Sequence, residues 1–303
     1  MLQFQPPGFV QRATSTSLGV LAYYTSDRDF WNTPLDTVSG ALRDRPPLIF
    51  LHSLGGGSSA YEWSKVYPAF AADYSIVAPD LIGWGQSTHP VRDYQPEDYF
   101  QVIAEFIESL GESAIVIASS LTAGLTIRLA IQKPNLFKSL FLVSPSGYGD
   151  FGIDYGRGIP AQIAKIPFLD RFIYSVGAAN EAAVRNFLEQ FLFADRSRLT
   201  DEIVQAYLAS ALQMNAEYAA LSSLRGDLCF DLSLYMNQLH VPTAIVWGEK
   251  SRFGTVDQGR RLAALNPKAV QTFDVISDSG VLPHLELPAV VVGLLQRHLN
   301  ASQ

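Results

Sequence analysis

Short apolar runs alternate with amphipathic stretches along most of this chain. Leu48 to Leu51, Ala114 to Ala118 and Ala244 to Trp247 are apolar throughout, Tyr74 to Ala78 and Ser139 to Val143 nearly so, and Val270 to Val275 in half its positions; all six predict strands. Helical patterns separate them, among them Pro96 to Leu110 and Gly124 to Gln132. Strands apolar on both faces, spaced by helices, predict an α/β architecture with a mostly parallel sheet covered on each side. Ahead of these runs, Gly8 to Ser26 alternates polar and apolar positions and predicts two opening strands. Residues 27 to 46 are charged and interrupted by Pro34 and Pro46, so they predict a long connecting loop.

The alternation stops between Ser144 and Val241. The intervening stretch is helix-like, as in Glu181 to Phe193 and Asp201 to Met214. It lies between two predicted strands and is too long for a simple crossover. It therefore predicts a helical cap, residues 146–240, inserted into a core made of residues 1–145 and 241–303. Within it, Ile163 to Val176 carries Phe168, Leu169, Phe172, Ile173 and Tyr174, which either line a greasy cavity or pack the cap onto the sheet.

Composition narrows the class. Hydrophobic residues make up 48% of the 303 residues and aromatics 12%, enough for a substantial core. A net charge of −7 argues against a nucleic-acid partner, which needs a basic patch. One cysteine, Cys229, allows no internal disulfide and no thiolate metal cluster. The opening residues lack a charged and then apolar signal pattern, and no stretch is long and apolar enough to span a bilayer. A soluble cytoplasmic protein is the expectation, not an integral membrane protein. No ligand spacing or dinucleotide fingerprint implies a metal or an organic cofactor.

Candidate chemistry lies in four segments. They are Phe50-Leu51-His52-Ser53-Leu54-Gly55-Gly56-Gly57-Ser58, then Ala78-Pro79-Asp80-Leu81-Ile82-Gly83-Trp84-Gly85-Gln86-Ser87, then Ile117-Ala118-Ser119-Ser120-Leu121-Thr122-Ala123-Gly124, and finally Ser279-Gly280-Val281-Leu282-Pro283-His284-Leu285-Glu286-Leu287-Pro288. In this order they resemble the α/β-hydrolase superfamily over nearly the whole chain. The resemblance implies an oxyanion loop at His52, Ser53 and Leu54, with the Leu54 amide as donor and His52 as support. It implies a scaffold turn at Asp80 to Ser87 and a nucleophile elbow centred on Ser120, with the Leu121 amide as second donor. Small residues must flank the elbow serine two positions away; Ala118 suits that, whereas the β-branched Thr122 is a tighter fit.

The same resemblance places Ser251 where the triad acid belongs and Val281 where the histidine belongs. A serine hydroxyl is a poor nucleophile without a base, and valine neither takes nor returns a proton. Loss of the base in serine proteases costs roughly 10⁶ in turnover. Of the five histidines, His284 is the candidate for a displaced base, with helix-start packing as the alternative. His52 belongs to the oxyanion loop, His89 is expected to be exposed, and His240 and His298 are expected to be structural. Asp150 follows the strand after the elbow, where some members of the family carry the triad acid, and Asp257 and Asp278 flank the two altered positions; such carboxylates are more often loop caps or solvated charges.

Two functions follow. One is a non-catalytic or severely impaired pseudo-hydrolase that binds a hydrophobic small molecule or a protein partner. The other is an active serine hydrolase, an esterase, thioesterase or lyase, with a relocated base.

Overall fold

The computed structural model describes residues 4–31, 46–153 and 180–301. Most of the predicted 27–46 loop and the whole of Ile163 to Val176 lie outside the described residues. Eight strands form one sheet: β1 (Phe9–Thr16), β2 (Gly19–Ser26), β3 (Leu48–Leu51), β4 (Ile76–Pro79), β5 (Ala114–Ser119), β6 (Phe137–Val143), β7 (Thr243–Gly248) and β8 (Val270–Ile276). Their spatial order is β1-β2-β4-β3-β5-β6-β7-β8. The opening hairpin pairs antiparallel with β4, and every pair from β4 to β8 is parallel.

Strand alternation divides the core between the two faces of the sheet. Ile49, Leu51, Val116, Ala118, Leu140, Leu142, Ile245 and Trp247 pack on one face. Leu48, Phe50, Ile115, Ile117, Phe141, Val143, Ala244 and Val246 pack on the other. Both faces are therefore dry, as fully apolar strands require, and each buried Leu, Ile or Val side chain contributes about 1.5–3 kcal/mol.

The principal helices are α1 (Pro96–Ser109), α2 (Ser120–Gln132), α3 (Glu181–Phe187), α4 (Asp201–Ala211), α5 (Ala216–Arg225), α6 (Val256–Ala264) and α7 (Pro288–Ala301). α1 starts with proline at its first position and a reciprocal Gln95–Asp98 capping pair. α6 starts with the Thr255–Gln258 capping box. No helix among the described residues is long and apolar enough to cross a membrane.

Three boundaries differ from the sequence pattern. α2 begins at Ser120, four residues before the predicted start, because the chain passes from extended Ser119 at the end of β5 straight into the helix. The predicted helix Glu181 to Phe193 changes pitch after Phe187 into a π turn over Leu188–Leu192, closed by the Phe193 amide on the Leu188 carbonyl at 2.9 Å. The predicted helix Asp201 to Met214 stops at Ala211, and Asn215 then turns the chain in the left-handed region at φ 66°.

The insertion between β6 and β7 packs its own apolar cluster against the loops at the strand ends. Val184, Leu188, Leu192, Phe193, Ile203 and Tyr207 meet Tyr61, Val281, Leu282 and Leu285 there. Hydrogen bonds cross the same boundary. Ser210 on α4 donates to the Ser58 carbonyl at 2.9 Å, and Ser223 on α5 donates to the Leu54 carbonyl at 2.8 Å.

Candidate active site

Ser120 stands at the junction of β5 and α2 with φ 55°, a left-handed conformation that costs a non-glycine residue about 1–3 kcal/mol. Its side chain is buried, 4% exposed. Thr122, the tight neighbour, is fully buried and its hydroxyl has no hydrogen-bond partner, so the elbow closes around it at the expense of one buried donor. The single hydrogen bond of Ser120 Oγ among the described residues is to the Tyr148 hydroxyl, at 2.7 Å.

Tyr148 reaches Ser120 from the loop after β6. Ser144, Tyr148 and Phe151 in that loop all have positive φ. Asp150 organises it: the carboxylate accepts from Ser146 Oγ at 2.6 Å, the Gly147 amide at 3.0 Å and the Leu232 amide at 2.9 Å. Ser146 Oγ in turn accepts the Tyr148 amide at 2.9 Å. Gly147 is needed because a Cβ there would lie 2.2 Å from the Phe230 carbonyl oxygen. Burial pushes the Asp150 carboxyl up, only partly offset by these donors. Its hydrogen bonds make Asp150 a loop organiser.

The positions at which an acid and a base were expected converge on Ser120. Ser251, Val281, Ser120 and Ser144 line one hollow of about 10 Å³, together with Tyr148 and Trp247. Val281 is 2% exposed, and its amide donates to the Leu192 carbonyl at 2.9 Å. The hydroxyls of Ser144 and Ser251 are buried without a partner. Gly248 lets the two loops meet, since a Cβ there would lie 1.8 Å from the Gly280 carbonyl oxygen. Next to the hollow, an open cleft of about 220 Å³ is lined by Tyr148, Asp150, Trp247, Arg252, Phe253 and Gln258, among others.

None of the histidines lines the hollow or this cleft. His284 is fully buried and stacks on Trp63 with ring centroids 4.0 Å apart and planes 14° from parallel. Its Nε2 lies 3.9 Å from Glu62 Oε2, and neither ring nitrogen makes a hydrogen bond. Burial pushes its pKa down, partly offset by the nearby Glu62 carboxylate. His52 donates Nδ1–H to the Ser53 carbonyl at 2.6 Å and accepts the Leu81 amide on Nε2 at 2.9 Å, the tautomer these two partners dictate. His89 is half-buried rather than exposed, because the turn folds over it. His298 is buried with Nε2 3.0 Å from Ser139 Oγ, and burial pushes it down to about 4. His240 is exposed.

The remaining acids also lie elsewhere. Asp278 is exposed and pairs with Lys250 at 2.5 Å; Asp257 is exposed beside Arg260 at 3.5 Å. Cys229 is half-buried, and burial pushes its thiol up to about 12, which keeps it unreactive.

Both amides expected as oxyanion donors are available. The Leu54 amide has no acceptor among the described residues, and the Leu121 amide, in the first turn of α2, has no intrahelical one. Glu62 anchors the loop that carries Leu54 by accepting the Ser53 amide and hydroxyl at 2.8 Å each, and it also accepts the Tyr207 hydroxyl at 2.8 Å. Burial pushes the Glu62 carboxyl up, but His284 beside it and the Ser53 amide outweigh it and hold it at about 2. Sequence reasoning passed over Tyr148, Ser144 and Glu62. The glycines at 147 and 149 mark a turn around Tyr148, but nothing local says that its hydroxyl reaches Ser120.

An eight-stranded sheet with a left-handed serine between β5 and α2, free amides beside it and an insertion after β6 defines an α/β-hydrolase scaffold. Residues 48–294 match the model of the Alpha/beta hydrolase family, and the chain belongs to that family. Among its relatives is the 2-hydroxy-6-oxo-6-phenylhexa-2,4-dienoate hydrolase of Burkholderia cepacia, 28% identical over 232 residues, 73% of this chain and 77% of that protein. Another is the 2-hydroxy-6-oxononadienedioate/2-hydroxy-6-oxononatrienedioate hydrolase of Comamonas testosteroni, 29% identical over 73% of this chain and 77% of the relative. The fold is shared with the CarC serine hydrolase involved in carbazole degradation, at a TM-score of 0.75 and 16% identity over 97% of this chain and 99% of that one.

Proposed function

We propose that this chain is a pseudo-hydrolase: a member of the family whose Ser120 site, under a cap formed by residues 146–240, binds a small molecule without ordinary serine hydrolysis. The observation that carries this reading is the surroundings of the Ser120 hydroxyl. Its partner is the phenol of Tyr148, and the hollow beside it is walled by Val281 and Ser251, with no imidazole and no free carboxylate among the described residues. A phenol hydroxyl is a poor base compared with an imidazole, so it holds the serine without activating it. The oxyanion amides and the elbow are retained, which suits binding of an oxygen-bearing ligand.

A second reading draws on the same 2.7 Å contact. Tyr148, rather than His284, is the group placed to act as a relocated base, and the hydrolases among the relatives give that reading its context. The two readings separate in one experiment. The protein and Ser120→Ala are exposed to a fluorophosphonate probe and to short-chain aryl esters between pH 7 and pH 10. The binding reading expects no Ser120-dependent labelling or turnover at neutral pH. Labelling that depends on Ser120, climbs towards pH 10 and is lost in Tyr148→Phe would establish the tyrosine-base enzyme instead.

A further inference from the structure

Removing both the acid and the imidazole from a triad changes which ligand charge its pocket tolerates. In this chain the positions of both are occupied by uncharged groups, Ser251 and Val281, on the wall of the hollow beside Ser120. The hydroxyls of Ser144 and Ser251 on that wall are buried and unpartnered, and Ser144 is only 5% exposed. Each is a donor without an acceptor, an arrangement that needs an explanation in a folded protein. The hollow has room for about one water-sized group. It shares Ser146, Tyr148, Trp247, Phe253 and Gly254 with the adjoining cleft, so a ligand lying in the cleft can extend one oxygen inward.

The cleft supplies the rest of the recognition. Trp247, Phe253 and Tyr148 give it aromatic walls, and Arg252 lines it without an ion pair or hydrogen bond to any described residue. A guanidinium presents a planar fork that matches a carboxylate. The acid that also lines the cleft is Asp150, and its oxygens are taken up by Ser146, Gly147 and Leu232. At about 220 Å³ the cleft falls below the roughly 300–1,000 Å³ of sites for drug-sized ligands, so its occupant is small.

Resting on the binding function proposed above, we infer that the ligand is a small aromatic or aliphatic carboxylate rather than an ester: one carboxylate oxygen enters the hydroxyl-lined hollow, the other faces Arg252, and the apolar body lies against Trp247 and Phe253. Hydrogen bonds from hydroxyls to a carboxylate are charge-assisted and roughly twice as strong as those to a neutral ester carbonyl, and the guanidinium adds the attraction of opposite charges.

The test uses phenylpropanoate, its methyl ester and its primary amide, titrated into the full chain while tryptophan fluorescence and thermal unfolding are followed. The acid is expected to bind saturably, with the ester and amide at least tenfold weaker. Arg252→Gln and Ser144→Ala, each checked for native circular dichroism, are expected to weaken the acid about tenfold and severalfold, with little effect on the ester. Added salt should weaken the acid alone. Equal affinity for ester and acid, no binding by any of the three, or an Arg252→Gln variant that binds the acid unchanged would each overturn the carboxylate assignment. Ser120-dependent hydrolysis of the methyl ester, followed in the same samples, would overturn the pseudo-hydrolase reading instead; the order of affinities still decides this one.

Discussion

Ser223 donates its hydroxyl to the Leu54 carbonyl across 2.8 Å, so a helix of the insertion holds the loop that carries the Leu54 amide. The same loop is tied to α4 through Ser210 on the Ser58 carbonyl and through Tyr207 on Glu62. Ser223→Ala is therefore expected to cost about 1 kcal/mol of stability, the usual worth of a part-buried hydrogen bond. Hydrogen exchange at Gly55 to Gly57 should quicken, whereas the amides of β5 should be unaffected. Unchanged exchange in that loop would show that the tie is incidental.

Placing an acid and a base beside Ser120 provides a second prediction. Val281→His with Ser251→Asp is expected to give measurable ester turnover that disappears with Ser120→Ala. Adding Tyr148→Phe should raise it further, because the phenol then no longer competes for Ser120 Oγ. Val281→His alone should lower stability by about 1–3 kcal/mol, the typical cost of overfilling a packed site, with no gain in turnover. A correctly folded double mutant that stays inert would locate the defect in the elbow or the oxyanion loop.

The buried Glu62 carboxylate fixes the sign of one pH dependence. Its pKa in the folded chain, about 2, lies below the ordinary carboxylate value of 4.5, so the stability it contributes is complete above that ordinary value. That contribution is lost as pH falls from about 4.5 towards 2. Glu62→Gln should lower the stability at neutral pH and flatten this acid limb in urea titrations. A variant with the same acid limb as the parent would disprove the assignment.

His298 acts over a higher window. Burial depresses it to about 4 in the folded chain, so on acidification the unfolded chain takes up its proton first. Stability should therefore decline as pH falls from about 6.5 to 4. His298→Gln, which can still bond Ser139, should remove that slope and leave the Glu62 limb below it.

Much of the scaffold was legible in the chain because its signals are local. Apolar runs such as Ala114 to Ala118 sit in the parallel sheet as predicted, and the positions matched to nucleophile, acid and base meet at one hollow. What stayed hidden depends on long-range contacts. Tyr148 lies 28 residues beyond Ser120, and its reach is set by Asp150 and by the Phe230 backbone, not by its neighbours in sequence. Glu62, between two aromatic residues, gave no sign that it would be buried with His284 against Trp63. The π turn after Phe187 was equally invisible, because Leu188 to Leu192 keep a helical pattern and the change of pitch arises where the Leu192 carbonyl receives the Val281 amide.

Val281 is also the point where the insertion grips the rest of the molecule. Its side chain packs with Leu192, Phe193, Ile203 and Tyr207, and its amide is bonded to the insertion's backbone. A histidine at this position would have to strip its ring of water among apolar neighbours, and it would loosen that grip whenever it took up a proton. The valine cannot be charged. At this one contact the closure of the fold is therefore insulated from acidity, like a clasp with no electrical contact.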